Sequence, residues 1–512
     1  MPAEVLLGTK GLTASEVIAI ARDYATIKIS DDAYSAIDRA RKIVDDLAAS
    51  KEAVYGVSTG FGALARKYID ADMRAQLQRS LIRSHAAGSG APVEIEVVRA
   101  MMALRLATIC RGHSGVKRDT AAIYAKILNA RITPIVREYG SLGCSGDLAP
   151  LSSCALVAMG EGEVLDSSGA ILSAKDALSN AGITPVELST KEGLALINGT
   201  DGMSGQLVMA LSDIEQLLKT LDISAALSVE AVLGTDRVFQ SELHAIRPQV
   251  GQMKSAANLA LLLKDSPMVK SHAVDDHRVQ DPYSMRCAPQ VAGAARDTLS
   301  HAKLVAEREL SSVIDNPIIL ENGEIRSNGN FHGAPVAQVL DFLAISIADA
   351  ASMAERRTDN LLDEHRSAGL NAFLAADPGV DSGMMIAQYT QAGLVSEMKR
   401  LATPASVDSI PSSAMQEDHV SMGWHAARKL RRAIDAFARV IAIEIMVASR
   451  AAEMRKPLQS GPATAAVIAT VRSKVAGLGP DRWLTPEIED CVELVRSGKI
   501  LNSVEKVVGK LA

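Results

Sequence analysis

Two long segments without proline constrain the fold of this 512-residue chain more than any other feature; they are residues 336–377 and 412–456. In the second segment, apolar residues recur at steps of three and four, at Leu430, Ile434, Phe437, Ile441, Ile445 and Ala448. That spacing is typical of one apolar face of an amphipathic helix. The helix would be on the order of 50 Å long. The pattern predicts a bundle of long helices, which often pack across subunit interfaces.

The composition also favours helices. Hydrophobic residues make up 48% of the chain but aromatic residues only 3%, so the core must be built from Ala, Leu, Val, Ile and Met rather than from an aromatic-rich sheet. The formal net charge is −6 without a block of Lys or Arg, which gives no support for nucleic-acid binding.

The cysteines and the termini exclude several further classes. The five cysteines show no Cys-x-x-Cys spacing, so neither a zinc site nor a redox dithiol is expected. The N-terminus has no basic segment followed by a long apolar run, and no apolar stretch of roughly 18 residues lacks charges. The Gly-rich stretch at residues 88–90 lacks the Lys-Ser/Thr of a phosphate loop. We therefore expect a cytoplasmic protein that binds no metal, nucleotide or membrane.

The character of the chain changes near residue 191. Before it, residues 14–50 predict two amphipathic helices, residues 54–62 a glycine-rich loop, residues 71–130 more helix, and residues 163–190 short turns or a hairpin. After it come the long segments. We predict a mainly α fold, with a smaller mixed domain over residues 1–195 and a long-helix bundle domain over residues 196–512.

A short tripeptide, Cys144-Ser145-Gly146, carries unusual chemistry. Because glycine has no side chain, the Gly146 nitrogen can approach the Cys144 carbonyl closely. Ring closure with loss of the Cys144 carbonyl oxygen as water, followed by loss of the Ser145 hydroxyl as a second water, would give a 4-methylidene-imidazol-5-one, an electrophile that no ordinary side chain provides. The alternative is a simple helix start, in which Asp147 caps a helix that begins at Leu148. The two interpretations are compatible, since a helix N-terminus would draw electrons toward the ring.

Three further polar residues lie in or beside glycine-containing turns. Tyr55 is in the glycine-rich loop, where it could close over a substrate and act as a base if its phenolate were stabilised. His85 precedes another glycine-rich break and could bind a polar ring. Asn198 ends an apolar run in Asn-Gly. The alternatives are, in turn, a packed loop ring, a helix-end histidine bonded to the backbone, and a plain turn.

The second half of the chain adds residues suited to binding an amino acid. Tyr283 and Arg286 are three apart and could share a helical face, and Arg is a natural bidentate partner of a carboxylate; a surface salt bridge is the alternative. Phe331 could form a pocket wall or pack in the core. Glu417, near the predicted start of the second long helix, could bind an N–H-bearing ring or simply favour the helix dipole.

Taken together, these motifs resemble those of the aromatic amino acid ammonia-lyases, which use a self-made methylidene-imidazolone. The resemblance runs from about residue 5 to the C-terminus. The motifs that carry it lie at residues 55–62, 84–88, 143–151, 196–200, 280–287, 315–317, 329–332 and 416–422. It implies a mainly helical homotetramer with four active sites, each built from three subunits.

The resemblance also implies a role for each candidate residue. The implied catalytic residues are Tyr55, Cys144, Ser145, Gly146, Asn198 and Tyr283. The implied substrate-binding residues are His85, Gln280, Arg286, Phe331, Gln416 and Glu417. Tyr55 would be the base that removes the β-proton, and Arg286 would hold the carboxylate. His85 and Glu417 would face an imidazole, which implies conversion of L-histidine to trans-urocanate and ammonia.

Some positions depart from the commonest family pattern, and other functions stay open. Cys144 replaces Ala, Ser58 and Met415 replace Asn, and Ala288 replaces Gln. Tyrosine or phenylalanine lyases and aminomutases share the same chemistry. A serine hydrolase using Ser145 would need a Gly-x-Ser-x-Gly elbow, and a catalytically dead helical assembly protein would have no need of the tyrosines and Arg.

Overall fold

A computed structural model describes residues 4–50, 56–60, 67–274 and 276–512. The expected mainly helical fold is confirmed, with twenty α-helices in these residues. The first ten are α1 (Ala14–Ala21), α2 (Asp31–Ala49), α3 (Arg74–His85), α4 (Ile95–Cys110), α5 (Arg118–Asn129), α6 (Leu148–Ala158), α7 (Ala174–Asn180), α8 (Glu192–Ile197), α9 (Asp201–Ala231) and α10 (Ser241–Ala245). The others are α11 (Val250–Leu263), α12 (Pro267–Lys270), α13 (Tyr283–Arg286), α14 (Ala288–Leu310), α15 (Ala334–Leu362), α16 (Met385–Leu401), α17 (Gly423–Met454), α18 (Pro462–Arg472), α19 (Thr485–Arg496) and α20 (Lys499–Val508).

The strands in the described ranges are short and form four small sheets. They are β1 (Glu4–Leu7), β2 (Thr26–Ile29), β3 (Ser89–Pro92), β4 (Thr133–Pro134), β5 (Arg137–Tyr139), β6 (Glu163–Leu165), β7 (Ile171–Ser173), β8 (Ile318–Ile319) and β9 (Ile325–Arg326). β1 pairs in parallel with β2, while β3 with β5, β4 with β6, β6 with β7, and β8 with β9 are antiparallel. The β6–β7 pair is the hairpin expected within residues 163–190.

The described residues divide into two compact units. The first unit takes its residues from Met1–Met209, Lys303–Asp341 and Pro404–Arg428, and the second from Ala210–Ala302, Phe342–Thr403 and Lys429–Ala512. Each unit is therefore assembled from separate parts of the sequence. The predicted division at residue 195 is a different partition and stays a prediction.

In the first unit, α4 forms the centre of the core, and α1 and α5 pack against it. Every residue of α4 from Val97 to Cys110 is buried, because its apolar residues surround the helix instead of forming one stripe. Two arginines are buried on it as well. Arg99 donates to the carbonyls of Ile20 and Leu128, and Arg105 donates toward α8. This second arginine connects the core to the site described below.

In the second unit, α18 packs on α20 and α11, and α19 packs on α20. The predicted apolar stripe lies on α17 and is buried throughout. Polar groups are buried beside it: Glu444 pairs with Arg357 and accepts hydrogen bonds from Ser224 and Ser228. The helical pattern of the stripe is therefore confirmed. The helix is shorter than the proline-free segment at residues 412–456, because α17 begins at Gly423.

Of the helices in the described ranges, α15 alone is long and apolar enough to cross a membrane. The most apolar part of α15 is 61% buried. A helix in the core of a protein can have the same length and apolar composition as a membrane-spanning helix.

Candidate active site

The tripeptide is fastened to the turn after α8 by backbone hydrogen bonds. The Gly199 N–H donates to the Ser145 carbonyl at 3.1 Å, and the Asp147 N–H donates to the Gly199 carbonyl at 2.8 Å. Gly146 lies between these bonds, opposite Gly199 in a parallel bridge. The residues at positions 145 to 147 are therefore held in register with residue 199, and Asn198 is placed next to them.

Gly146 occupies a position that admits only glycine. Its φ is +73°, and a Cβ atom there would lie 1.8 Å from the carbonyl oxygen of Gly199. Closure of a methylidene-imidazolone from residues 144–146 requires the nitrogen of residue 146 to approach the Cys144 carbonyl. Glycine permits this approach because it has no side chain. The residues present therefore fit that group.

The helix start predicted after the tripeptide is confirmed, because α6 begins at Leu148. The prediction that Asp147 caps it is wrong: its side chain makes no capping hydrogen bond. The buried carboxylate instead accepts from the Ser141 hydroxyl at 2.8 Å and from the Met203 backbone N–H at 2.7 Å. These two donors lie outside the first turn of α6. The carboxylate is therefore bonded to them and not to the backbone N–H groups at the start of the helix.

Burial raises the pKa of Asp147 from 3.8 to about 7, although the hydrogen bonds from Met203 and Ser141 oppose the shift. Between these two values the folded chain holds a proton that the unfolded carboxyl has lost. The free energy of unfolding therefore falls as pH rises through this window. We expect Asp147→Asn to remove this part of the slope. Denaturant unfolding of both proteins at pH 5 to 8 would measure it; equal slopes would contradict the prediction.

One cavity of about 520 Å³ in the first unit brings together four of the predicted site residues: His85, Ser145, Asn198 and Glu417. They come from four separate parts of the sequence. Its remaining lining is mostly apolar or neutral, with Lys67 as the one other charged side chain among the described lining residues. The cavity is thus large enough for an amino acid, and its lining combines polar side chains with apolar ones.

His85 is the last residue of α3, the helix-end position that its sequence context suggested. Its Nδ1 lies 2.9 Å from the Leu81 carbonyl, which can only accept, so Nδ1 carries the proton and Nε2 is an acceptor. Burial lowers the pKa of His85, while the Leu81 hydrogen bond and the Glu417 charge oppose that shift. The neutral ring therefore offers an acceptor near Glu417.

Glu417 is held by a tight turn and not by a helix. Its Oε2 accepts from the Ser412 hydroxyl at 2.7 Å, and the backbones of the two residues are paired. Its Oε1 lies 3.5 Å from the Ser145 hydroxyl. The expectation that this stretch starts the long helix is wrong, because residues 413–415 all have positive φ and α17 begins at Gly423.

Cys144 is partly buried beside the same carboxylate. Burial, followed by the charge of Glu417, raises the pKa of the Cys144 thiol to about 12. The thiol is therefore neutral near pH 7 and is a poor nucleophile, which leaves the Ser145 hydroxyl and the backbone as the reactive parts of this tripeptide.

Asn198 is buried and fixed on two sides. Arg105 donates to its backbone carbonyl at 2.7 Å. Its side-chain Nδ2 lies 3.0 Å from the Asn316 carbonyl and 3.4 Å from Asp315 Oδ1. Asp315 in turn pairs with Lys191 at 2.9 Å.

The family model for aromatic amino acid lyases matches residues 12–473. A histidine ammonia-lyase from Streptomyces avermitilis is 62% identical over 509 residues, 99% of each chain. This chain belongs to the aromatic amino acid lyase family. Two solved structures agree. A tyrosine aminomutase from Streptomyces globisporus has a TM-score of 0.94 at 36% identity and full coverage of both chains. A histidine ammonia-lyase from Trypanosoma cruzi has a TM-score of 0.91 at 36% identity, covering 99% of this chain and 96% of the other.

The remaining predicted residues of this aromatic amino acid lyase are not among those lining the cavity. Tyr55 lies outside the described residues. Phe331, in the loop before α15, is partly buried, and Gln416 is exposed. The other three, Gln280, Tyr283 and Arg286, belong to the second unit.

Within the second unit, the predicted pairing of Tyr283 and Arg286 on α13 is confirmed. The guanidinium lies 4.6 Å from the centre of the Tyr283 ring, a cation–π contact. The ring is 69% exposed, and the Arg286 Nε is buried without a hydrogen-bond partner in the described part of the chain. Exposed aromatic area beside an unsatisfied guanidinium suits a ligand-binding surface.

Sequence reasoning missed Lys191 and Asp315, the buried pair that lies next to Asn198. Asp315 belongs to the Asp-Asn-Pro motif that carries the resemblance, but its local sequence gives it no role. Lys191 gave no signal, because a lysine before a helix is ordinarily a solvated residue. Its complete burial is visible only in the folded chain.

Proposed function

We propose that this chain converts L-histidine to trans-urocanate and ammonia. The observation that carries the proposal is the single cavity that Ser145, His85 and Glu417 line. It joins the source of the electrophile to two groups suited to an imidazole. The identity of 62% to a protein named histidine ammonia-lyase supports the same substrate.

The proposed prosthetic group is the 4-methylidene-imidazol-5-one made from Cys144, Ser145 and Gly146. It supplies an electrophilic carbon that no ordinary side chain has. The glycine-only position of Gly146 and the hydrogen bonds that hold the tripeptide to Gly199 support this assignment. We expect no metal and no nucleotide to be needed.

The substrate ring would be recognised by two acceptors. Glu417 offers carboxylate oxygens, and neutral His85 offers Nε2. A protonated imidazole donates an N–H to each of them and a neutral imidazole donates one, whereas a phenyl ring donates none. Leaving a buried acceptor unpaired costs about 1–3 kcal/mol, so the pair discriminates against phenylalanine.

The amino acid's other groups would be bound by residues outside this cavity lining. We propose that Arg286 binds the carboxylate, that Tyr55 removes the β-proton, and that Tyr283 assists it. Holding the carboxylate fixes the β-proton relative to its base. Gln280, Phe331 and Gln416 would complete the walls of the site.

We also propose a cytoplasmic homotetramer in which each site draws residues from three subunits. The exposed ring of Tyr283 beside the unpartnered Arg286 Nε supports this, because such a surface gains contacts on assembly. The sequence division into residues 1–195 and 196–512 is retained as a proposal.

A second candidate is an aminomutase acting on an aromatic amino acid. The high structural similarity to a tyrosine aminomutase favours it, since the electrophile and the tyrosines would serve both reactions. The acceptor pair of His85 and Glu417 favours the imidazole substrate instead.

The test is a panel of amino acids on the purified full-length protein. We expect urocanate absorbance to rise with L-histidine, and little or no product from L-tyrosine or L-phenylalanine. Intact mass should be lower than the sequence mass by two waters. Chromatography for β-amino acids distinguishes the mutase. Turnover of tyrosine alone would overturn the substrate, and an unchanged mass would overturn the prosthetic group.

A further inference from the structure

A buried ion pair lies directly behind Asn198. Lys191 and Asp315 both have fully buried side chains. The Lys191 ammonium donates to Asp315 Oδ2 at 2.9 Å and to the Ser114 carbonyl at 2.8 Å. The other carboxylate oxygen, Oδ1, accepts from the Asn316 backbone N–H at 2.8 Å and faces the Asn198 amide at 3.4 Å. The charge of Lys191 therefore sets how Asp315 faces Asn198.

The surroundings allow only one orientation of the Asn198 amide. Its two inward neighbours are the Asn316 carbonyl and Asp315 Oδ1, and neither can donate a hydrogen bond. The NH₂ group must therefore point at them. The amide oxygen is left over as an acceptor on a residue that lines the cavity.

Stability alone does not account for this arrangement. A buried ion pair usually contributes little net stability, because desolvation offsets the attraction. Lys191 also has a left-handed backbone, with φ +69°, which is unfavourable for a residue with a side chain. A costly pair kept next to one amide suggests that it serves that amide.

We propose that the Lys191–Asp315 pair is a positioning device that keeps the Asn198 oxygen toward the cavity, where it accepts an N–H from the amine of the amino-acid substrate. The proposal rests on the proposed function only in taking the ligand to be an amino acid. Lys191 and Asp315 are positioning residues, since they act through Asn198.

The key variant is Asp315→Asn. The new amide at position 315 has a single oxygen. The Lys191 ammonium competes for it with the N–H groups of Asn198 and Asn316. A charge-assisted bond to Lys191 is the stronger of the two, so the new NH₂ turns toward Asn198 and Asn316. Two donors then face each other, and Asn198 is driven to flip. We expect kcat/KM to fall roughly 10- to 100-fold, with the mass loss of two waters retained.

Removing the lysine as well should reverse part of this loss. In Lys191→Met/Asp315→Asn the oxygen is free to face Asn198 and Asn316, while the NH₂ can face the Ser114 carbonyl. We expect kcat/KM to recover by about tenfold relative to Asp315→Asn. A purely structural role predicts that the second substitution adds to the damage. Failure of rescue, or an undiminished Asp315→Asn, would overturn the proposal.

Asp222→Asn is the matched control. Asp222 is also buried and paired with an arginine, Arg296, at 2.6 Å, but it belongs to the second unit. Its hydrogen bonds are to Ser255, Asn258 and Arg296, none of which is a predicted site residue. We expect a lower melting temperature and kcat/KM within about threefold of wild type. A loss as large as that of Asp315→Asn would show general destabilisation and overturn the proposal.

Calorimetry separates this inference from the proposed reaction. In a Ser145→Ala background, which cannot turn over substrate, L-histidine, L-tyrosine and L-phenylalanine are titrated with and without Asp315→Asn. We expect about tenfold weaker binding with the second substitution. If the wild type lacks urocanate production yet an amino acid shows this weakening, only the proposed reaction fails. If Asp315→Asn leaves binding unchanged, or no amino acid binds, the inference fails.

Discussion

Ser145→Ala is expected to reduce kcat/KM for L-histidine by on the order of 10³-fold or more, while the protein stays folded. Without the hydroxyl, no water can leave from residue 145 and no methylidene can form. The Ser145 side chain contributes little to the stability of the fold, because its hydrogen bond to Glu417 is long, at 3.5 Å. We expect the free energy of unfolding to change by less than about 0.5 kcal/mol. Urocanate absorbance and intact mass measure the two effects.

Cys144→Ala is the control for this change. Ring closure would use the Cys144 carbonyl and not its thiol, which is neutral because its pKa is about 12. This variant should keep the mass loss of two waters and most of its activity. Retention of a tenth or more of wild-type activity by Ser145→Ala would show that the electrophile does not depend on Ser145.

Features that depend on neighbours in the sequence could be predicted. The apolar stripe on α17 follows directly from the helical period. Local sequence also predicted the start of α6 at Leu148 and the place of His85 at the end of α3. The spacing of three residues predicted that Tyr283 and Arg286 share one face of α13. Each of these is set within a few turns of one helix.

Features that join distant residues could not be predicted from periodicity. The Glu417 carboxylate is 272 residues away from Ser145, and the hydrophobic pattern contains no information on which loops meet. The rule that acidic residues favour a helix start failed at Glu417, since three consecutive left-handed residues, 413–415, turn the chain first. The prediction that Asp147 caps α6 was wrong for a related reason. Its carboxyl group accepts hydrogen bonds from Ser141 and Met203, which lie outside that helix.

The family resemblance supplied residue roles that the local patterns could not. Periodicity alone left Asn198 as a plain turn, and the turn is indeed there. The position of Asn198 in the fold depends on the buried residues around it, Arg105, Asp315 and Lys191. All three are charged residues buried in the core, where sequence patterns rarely place them, so only the folded chain reveals them.

Gly146→Ala is expected to disrupt both the fold and the chemistry. A Cβ atom would sit 1.8 Å from a backbone oxygen, that of Gly199, so no side-chain movement can relieve the clash. The backbone bonds that tie Ser145 and Asp147 to Gly199 would have to break. Left-handed strain and overpacking together would lower the free energy of unfolding by roughly 2–5 kcal/mol. Turnover and the mass loss of two waters should both disappear.

Gly169→Ala isolates the contribution of the clash. Gly169 has a similar φ of +82°, but a Cβ there would meet nothing within 4 Å. This variant carries the same left-handed strain, of about 1–2 kcal/mol, without a collision, and it lies in the β6–β7 turn away from the cavity lining. We expect full activity and a small drop in the denaturation midpoint. If Gly146→Ala unfolded at the same denaturant concentration as Gly169→Ala, the tripeptide would not be held against Gly199 as tightly as these distances require, and the close fit that reserves this position for glycine would be contradicted.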